Sequence, residues 1–195
     1  KACTFYNMQG CYTLGWLYNN GEIVQQDYVK AATWYQKACD GNYASGCHNL
    51  GLLHLNGQGV PKDGAKAVSY LDKGCQTGDR KSCFSLGVTY QQGQTGTADM
   101  VKATSFYQKA CDEGHIKGCN NLAVMYYNGF GVKQDKAKSV TLYKTACELG
   151  DILSCHSLGR MYDSGDHVQK NKTKAKEYFK QACEGGHESA CNALK

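Results

Sequence analysis

The sequence predicts an all-α protein, an array of helical hairpins. Three observations lead there. Twelve cysteines stand at 3, 11, 39, 47, 75, 83, 111, 119, 147, 155, 183 and 191, so a Cys-x7-Cys phrase recurs every 36 residues without insertion. Such a fixed period implies a supersecondary unit repeated along the chain. Within each unit the apolar residues follow helical spacing, and no stretch alternates as a strand does.

On this period the full units are 27–62, 63–98, 99–134 and 135–170, with a partial repeat at 1–26 and another at 171–195, all read as one repeat domain over 1–195. In the first helix Tyr28, Ala31, Ala32, Tyr35, Ala38 and Cys39 make one buried face. Asp27, Asp63, Asp99, Asp135 and Asn171 precede this run and can accept a free backbone N–H as N-caps. The helix is expected to close near Asn42, Gly78, Gly114, Gly150 and Gly186, residue types that tolerate a left-handed turn. Tyr6 fills that slot in the first partial unit, where a different turn is expected. The second helix carries Cys47, Leu50, Gly51 and His54, repeated as Cys83, Leu86, Gly87 and Tyr90, and stops at a glycine-rich loop such as "NGQGVPK".

The cysteine phrase has a geometric purpose. Eight residues along one straight helix span about 12 Å, beyond the roughly 7 Å between Cα atoms that a disulfide tolerates. A chain reversal between the two cysteines removes the mismatch. Pairs Cys3–Cys11, Cys39–Cys47, Cys75–Cys83, Cys111–Cys119, Cys147–Cys155 and Cys183–Cys191 therefore staple each hairpin at its turn.

Composition limits the classes of function. The net charge of +5 is mildly basic, and no basic–aromatic module or Lys/Arg run suggests nucleic acid. Lys30, Lys66, Lys102, Lys138 and Lys174 share one repeat position, read either as a solvated face or as a ridge for an anionic partner. Zinc sites bring thiols two to four residues apart with histidine nearby; here the spacing is seven and the histidines keep no common distance to the cysteines. Disulfides and an oxidising compartment are the expectation, with no metal and no cofactor. No signal peptide, membrane-spanning run or initiator methionine is present, which reads as a processed or ordered fragment of a longer array.

The pattern "LGLLHLNGQGVPKDGAKAVSYLDKGC" joins Leu-Gly, Gly-x-Gly-Val, Asp-x-x-Lys-Ala and Tyr. It resembles the Sel1-like repeat, a relative of the tetratricopeptide repeat. With a cysteine pair in every 36-residue unit, it is similar to the Helicobacter cysteine-rich proteins in particular. Departures are Thr95-Gly96 and His167 in place of Gly-x-Gly-Val, and Ala123 after Leu122; they bear on loop shape and not on the fold. The resemblance implies a right-handed α–α superhelix, or solenoid, acting as a monomeric adaptor for protein or extended peptide partners. It implies a secreted or periplasmic location; a mitochondrial intermembrane-space protein with disulfide-bonded repeats is also known, with less regular spacing. Some cysteine-rich members carry a penicillin-binding or β-lactamase label, which is the alternative function.

The residues weigh against that alternative. No serine has a lysine three residues on, and S-D-N, K-T-G and H-E-x-x-H are absent. No catalytic residue is assigned. A groove reads better. By analogy with the tetratricopeptide unit, Thr13, Asn49, Ser85, Asn121 and Ser157 face inward beside Asn20, Asn56, Gln92, Asn128 and Ser164, two uncharged ladders suited to the donors and acceptors of an extended backbone. The second ladder precedes glycine, so ordinary capping explains it equally well. Trp16, Leu52, Val88, Val124 and Arg160 flank the ladders on one side, and Tyr12, His48, Phe84, Asn120 and His156 on the other, as variable walls for side-chain pockets. The rows at Trp34, Tyr70, Phe106, Leu142, Tyr178 and at Tyr35, Leu71, Tyr107, Tyr143, Phe179 are expected to be core.

Overall fold

The structure, a computed structural model, describes residue 3 and residues 7–195. The elements among them are helices: α1 Met8–Asn20, α2 Tyr28–Asp40, α3 Ala44–Asn56, α4 Gly64–Gln76, α5 Arg80–Gln91, α6 Met100–Asp112, α7 Ile116–Asn128, α8 Lys136–Glu148, α9 Ile152–Ser164, α10 Lys172–Glu184 and α11 Glu188–Asn192. None is long and apolar enough to cross a membrane, among the described residues. The chain divides into two compact units, Lys1–Phe106 and Tyr107–Lys195. In the first, α1 packs on α2, α2 on α3, α3 on α4 and α4 on α5, and α3 also touches α1 and α5. In the second, α7 packs on α8, α8 on α9, α9 on α10 and α10 on α11. Neighbours in sequence are neighbours in space, the hallmark of an α-solenoid.

The helix boundaries follow from side-chain chemistry. Asp27, Asp63, Asp99, Asp135 and Asn171 each accept the backbone N–H three residues on, at 2.9–3.0 Å. At the hairpin turns Asn42, Gly78, Gly114, Gly150 and Gly186 all adopt positive φ, between 61° and 94°. The next residue's N–H then reaches back five residues, as from Tyr43 to the Ala38 carbonyl and from Asp79 to that of Gly74. The slot at Tyr6 lies outside the described residues. Second helices have caps of their own: Asp79 and Asp151 use a carboxylate, His115 and His187 a ring nitrogen, and Tyr43 none.

This reversal brings each cysteine pair to a Cα separation of 4.5–4.8 Å, and all six Cys-x7-Cys bonds are formed. The departures from Gly-x-Gly-Val have unequal effects. His167 takes φ 55°, close to the 68° of Gly59 and Gly131 at the same repeat position, so the turn survives without glycine. At Thr95-Gly96 the turn changes: the positive φ moves to Gly96, at 136°.

Of the two rows expected to be core, the one at Tyr35, Leu71, Tyr107, Tyr143 and Phe179 is buried, and the one at Trp34, Tyr70, Phe106, Leu142 and Tyr178 is only half-buried. Tyr35, Leu71 and Tyr107 are fully buried. The glycine after the repeat leucine admits them: a Cβ on Gly15 would lie 2.5 Å from the Tyr35 ring, and one on Gly159 2.5 Å from that of Phe179. Ala123 supplies such a Cβ, and Tyr143, which occupies the corresponding core position, is 7 % exposed where Tyr35 and Tyr107 are 0 %. The other row lies nearer the surface and stacks on second-helix rings, with centroids 5.5 Å apart for His54–Tyr70 and 5.6 Å for Tyr90–Phe106 and Tyr162–Tyr178. Four of the shared lysines cover second-helix rings. Lys30 sits over Tyr18, Lys102 over Tyr90, Lys138 over Tyr126 and Lys174 over Tyr162, at 4.2–5.5 Å. Lys30 and Lys102 also pair with the capping Asp27 and Asp99. These lysines thus have a packing role.

Candidate binding site

The second helices carry the predicted ladder. In the first unit it opens on a cleft of about 320 Å³, where Trp16 and Asn20 of α1 meet Asn49, Leu52 and Asn56 of α3, with Tyr35 of α2 beneath. Every residue lining this cleft is uncharged. In the second unit Ser157, Arg160 and Ser164 of α9 line a cleft of about 440 Å³ with Tyr127, Tyr143 and Asp166. Here charged residues, Arg160, Asp163 and Asp166, join apolar Met161 and Phe179 in the lining, and Tyr127 donates to Asp166 at 2.5 Å, which raises the Tyr127 pKa above its usual value.

The first ladder has a partner that sequence spacing does not reveal. Asn49 stands at the hydroxyl of Tyr35, Asn121 at that of Tyr107 and Ser157 at that of Tyr143. Burial is the main cause that pushes Tyr35 and Tyr143 up to about 12. These phenols therefore remain donors at any physiological pH. Thr13 turns its hydroxyl to the Gln9 carbonyl along its own helix. Ser85 is half-buried and its repeat has Leu71 where the others have tyrosine.

The second ladder makes local bonds at helix ends. Asn56 donates to Gln58, Gln92 accepts from Gln94, Asn128 donates to the Val124 carbonyl, and Ser164 donates to that of Arg160. Asn20 accepts from Asn19. Local side-chain bonds and a place on the cleft wall coexist in Asn20, Asn56 and Ser164.

The row expected to form one pocket wall is held by the next repeat. Tyr12 packs on Tyr43, with centroids 5.3 Å apart. His48 Nδ1 lies 3.3 Å from Ser82 Oγ and 3.7 Å from Asp79 Oδ2, while Ser82 donates to Asp79 at 2.6 Å. Ser154 Oγ lies 2.6 Å from Asp151 Oδ2 and 2.9 Å from Asn120 Oδ1, with one proton between the two acceptors, and His156 stacks on His187 at 4.1 Å. Phe84 is half-buried on α5 at the same repeat position. Each named contact reaches the start of the following second helix. His48, Ser82 and Asp79 resemble a nucleophile triad only in composition: Ser82 is fully buried and its proton is directed to the carboxylate, away from the imidazole. On the opposite flank Leu52 lines the first cleft, Val124 packs against the second unit's core, and Val88 is half-buried on α5.

Periodic disulfide-stapled hairpins with clefts along their second helices define a repeat scaffold. The Sel1 repeat model matches residues 9–43, 44–79, 80–115, 116–151 and 152–187, and the chain belongs to that family. Its boundaries fall at the hairpin turns, half a repeat from those set by the capping aspartates. Among solved structures, the chain is similar to a protective antigen of uropathogenic Escherichia coli displaying an SLR fold, at 34 % identity and a TM-score of 0.91 over 96 % of this chain. It spans about 40 % of that antigen's length. Helicobacter pylori cysteine rich protein B is 32 % identical over 69 % of this chain and 97 % of its own, with a TM-score of 0.54. A Sel1 repeat protein from Oxalobacter formigenes is 25 % identical, with a TM-score of 0.83 over 97 % of this chain and 76 % of its own. No curated protein sequence matches the chain significantly.

Proposed function

We propose that residues 1–195 act as a single monomeric repeat domain, an extracytoplasmic scaffold that binds protein or extended peptide partners in a groove along its second helices. The observation that carries this reading is the convergence of ladder residues on a cleft in each unit: Asn20, Asn49 and Asn56 in one, Ser157 and Ser164 in the other. Six disulfides fit a secreted or periplasmic setting, where such bonds persist. Adaptor function is the general role of Sel1 repeats. Local crosslinks hold the hairpins, so the cleft walls are free to vary with the partner.

The test is a titration of the oxidised chain with immobilised capped peptides, beside the double variant Asn49→Ala, Asn121→Ala. The variant is expected to bind more weakly with an unchanged circular dichroism spectrum. Unaltered affinity overturns the groove. Turnover of a chromogenic β-lactam by the oxidised chain, absent from a reduced and alkylated control, overturns the scaffold reading in favour of hydrolysis.

A further inference from the structure

We propose that Tyr35 and Asn49 form an amide-recognition subsite on the floor of the first unit's cleft, selective for a peptide segment without charged side chains. The inference rests on the peptide-groove reading and names what that part of the groove takes.

The Tyr35 side chain is fully buried, yet its hydroxyl makes no hydrogen bond of full geometry within the protein. The Asn49 carboxamide stands close enough to bias its ionisation without completing that bond. Buried hydroxyls are almost always paired, because an unpaired one destabilises the fold. Among the described residues two buried hydroxyls are exceptions, those of Tyr35 and Ser139, and of the two it is the Tyr35 side chain that lines a cleft, where a small shift of the wall admits a group from outside. By contrast the half-buried Tyr70 meets the same need internally, donating to Gln36 at 2.7 Å.

The chemistry around the hydroxyl defines the missing group. Tyr35 offers a proton and Asn49 offers both a donor and an acceptor, a match for the carbonyl and N–H of a peptide unit. Trp16, Leu52 and Leu53 supply apolar wall, and Asn20 and Asn56 supply neutral polar wall. A charged side chain entering this cleft sheds hydration and meets no opposite charge. The second unit's cleft differs on this point, since Arg160, Asp163 and Asp166 line it. The first cleft therefore suits a neutral extended segment with an apolar side chain laid against Trp16.

The experiment uses the oxidised full chain and three pools of capped octapeptides: neutral, Asp/Glu-containing and Lys/Arg-containing. Wild type is expected to favour the neutral pool. Tyr35→Phe keeps the ring, and its affinity for that pool is expected to fall about fivefold, the effect of one neutral hydrogen bond. Its melting temperature is expected to equal or exceed that of wild type, because the hydroxyl has no internal partner to lose. Wild-type affinity in Tyr35→Phe, the result if only water meets the hydroxyl, overturns the subsite and leaves peptide binding standing. So does preference for a charged pool. A lower melting temperature with lower affinity assigns the hydroxyl to the fold and also overturns the subsite. Binding of no pool by wild type overturns the groove reading itself.

Discussion

The Tyr70 hydroxyl donates to Gln36 Oε1 at 2.7 Å, joining α4 to α2 one repeat away. The same ring stacks on His54, so a single side chain links three helices of the first unit. Tyr70→Phe keeps the stack and deletes the bond. A net cost of about 1 kcal/mol is expected for a neutral hydrogen bond of this kind. Thermal melts of the oxidised chain should show a midpoint a few degrees lower; an unchanged midpoint would deny the bond any role in stability.

Each staple closes a short loop and is expected to add roughly 2–3 kcal/mol in chain-entropy terms. Replacing Cys111 and Cys119 together by serine should lower stability by that order while leaving the other five bonds intact, as mass spectrometry of trypsin fragments would report. Loss of all helical signal instead would mean that one staple controls the folding of the whole array.

The Leu-Gly glycine is a packing requirement. Gly159→Ala would set a Cβ 2.5 Å from the Phe179 ring, and overpacking of this kind costs about 1–3 kcal/mol. Denaturant unfolding of the variant should show that loss.

Acid should loosen the second unit's C-terminal end. Burial holds the His156 pKa below its ordinary value, with His187 and Arg160 adding repulsion. A depressed folded pKa means that the unfolded chain binds the proton more readily, so stability is complete above about pH 6.5. It then falls as pH drops from that value through the folded pKa. His156→Phe, the residue its row already has at Phe84, should reduce the difference between melting midpoints at pH 7.5 and pH 5.5. An undiminished difference would point to His48, whose pKa burial also depresses.

Much of this was legible from spacing alone. The capping acids and the left-handed turn residues recur at fixed distances, and each acts within three to five residues of itself. Local chemistry writes a local signature. The expected pocket wall was different, because what holds His48, Asn120 and His156 comes from the start of the next second helix, more than thirty residues on. Asn49 beside Tyr35 escaped for a related reason: one lies on α3 and the other on α2, and their meeting depends on how two helices cross. A row of polar residues on one face records the face but not its neighbours. The second-helix caps could have been found, since Asp79, His115, Asp151 and His187 occupy one repeat position.

The staples also bear on how the thiols find one another. Each native partner lies eight residues away, whereas the next thiol after Cys11 is Cys39, more than three times as far along the chain. Loop-closure entropy disfavours the longer contact by roughly 1 kcal/mol. Oxidation of the newly made, still unfolded polypeptide is therefore already biased toward the correct pairs. Scrambled isomers have to overcome that bias before any helix has formed, and a disulfide isomerase has correspondingly little to repair.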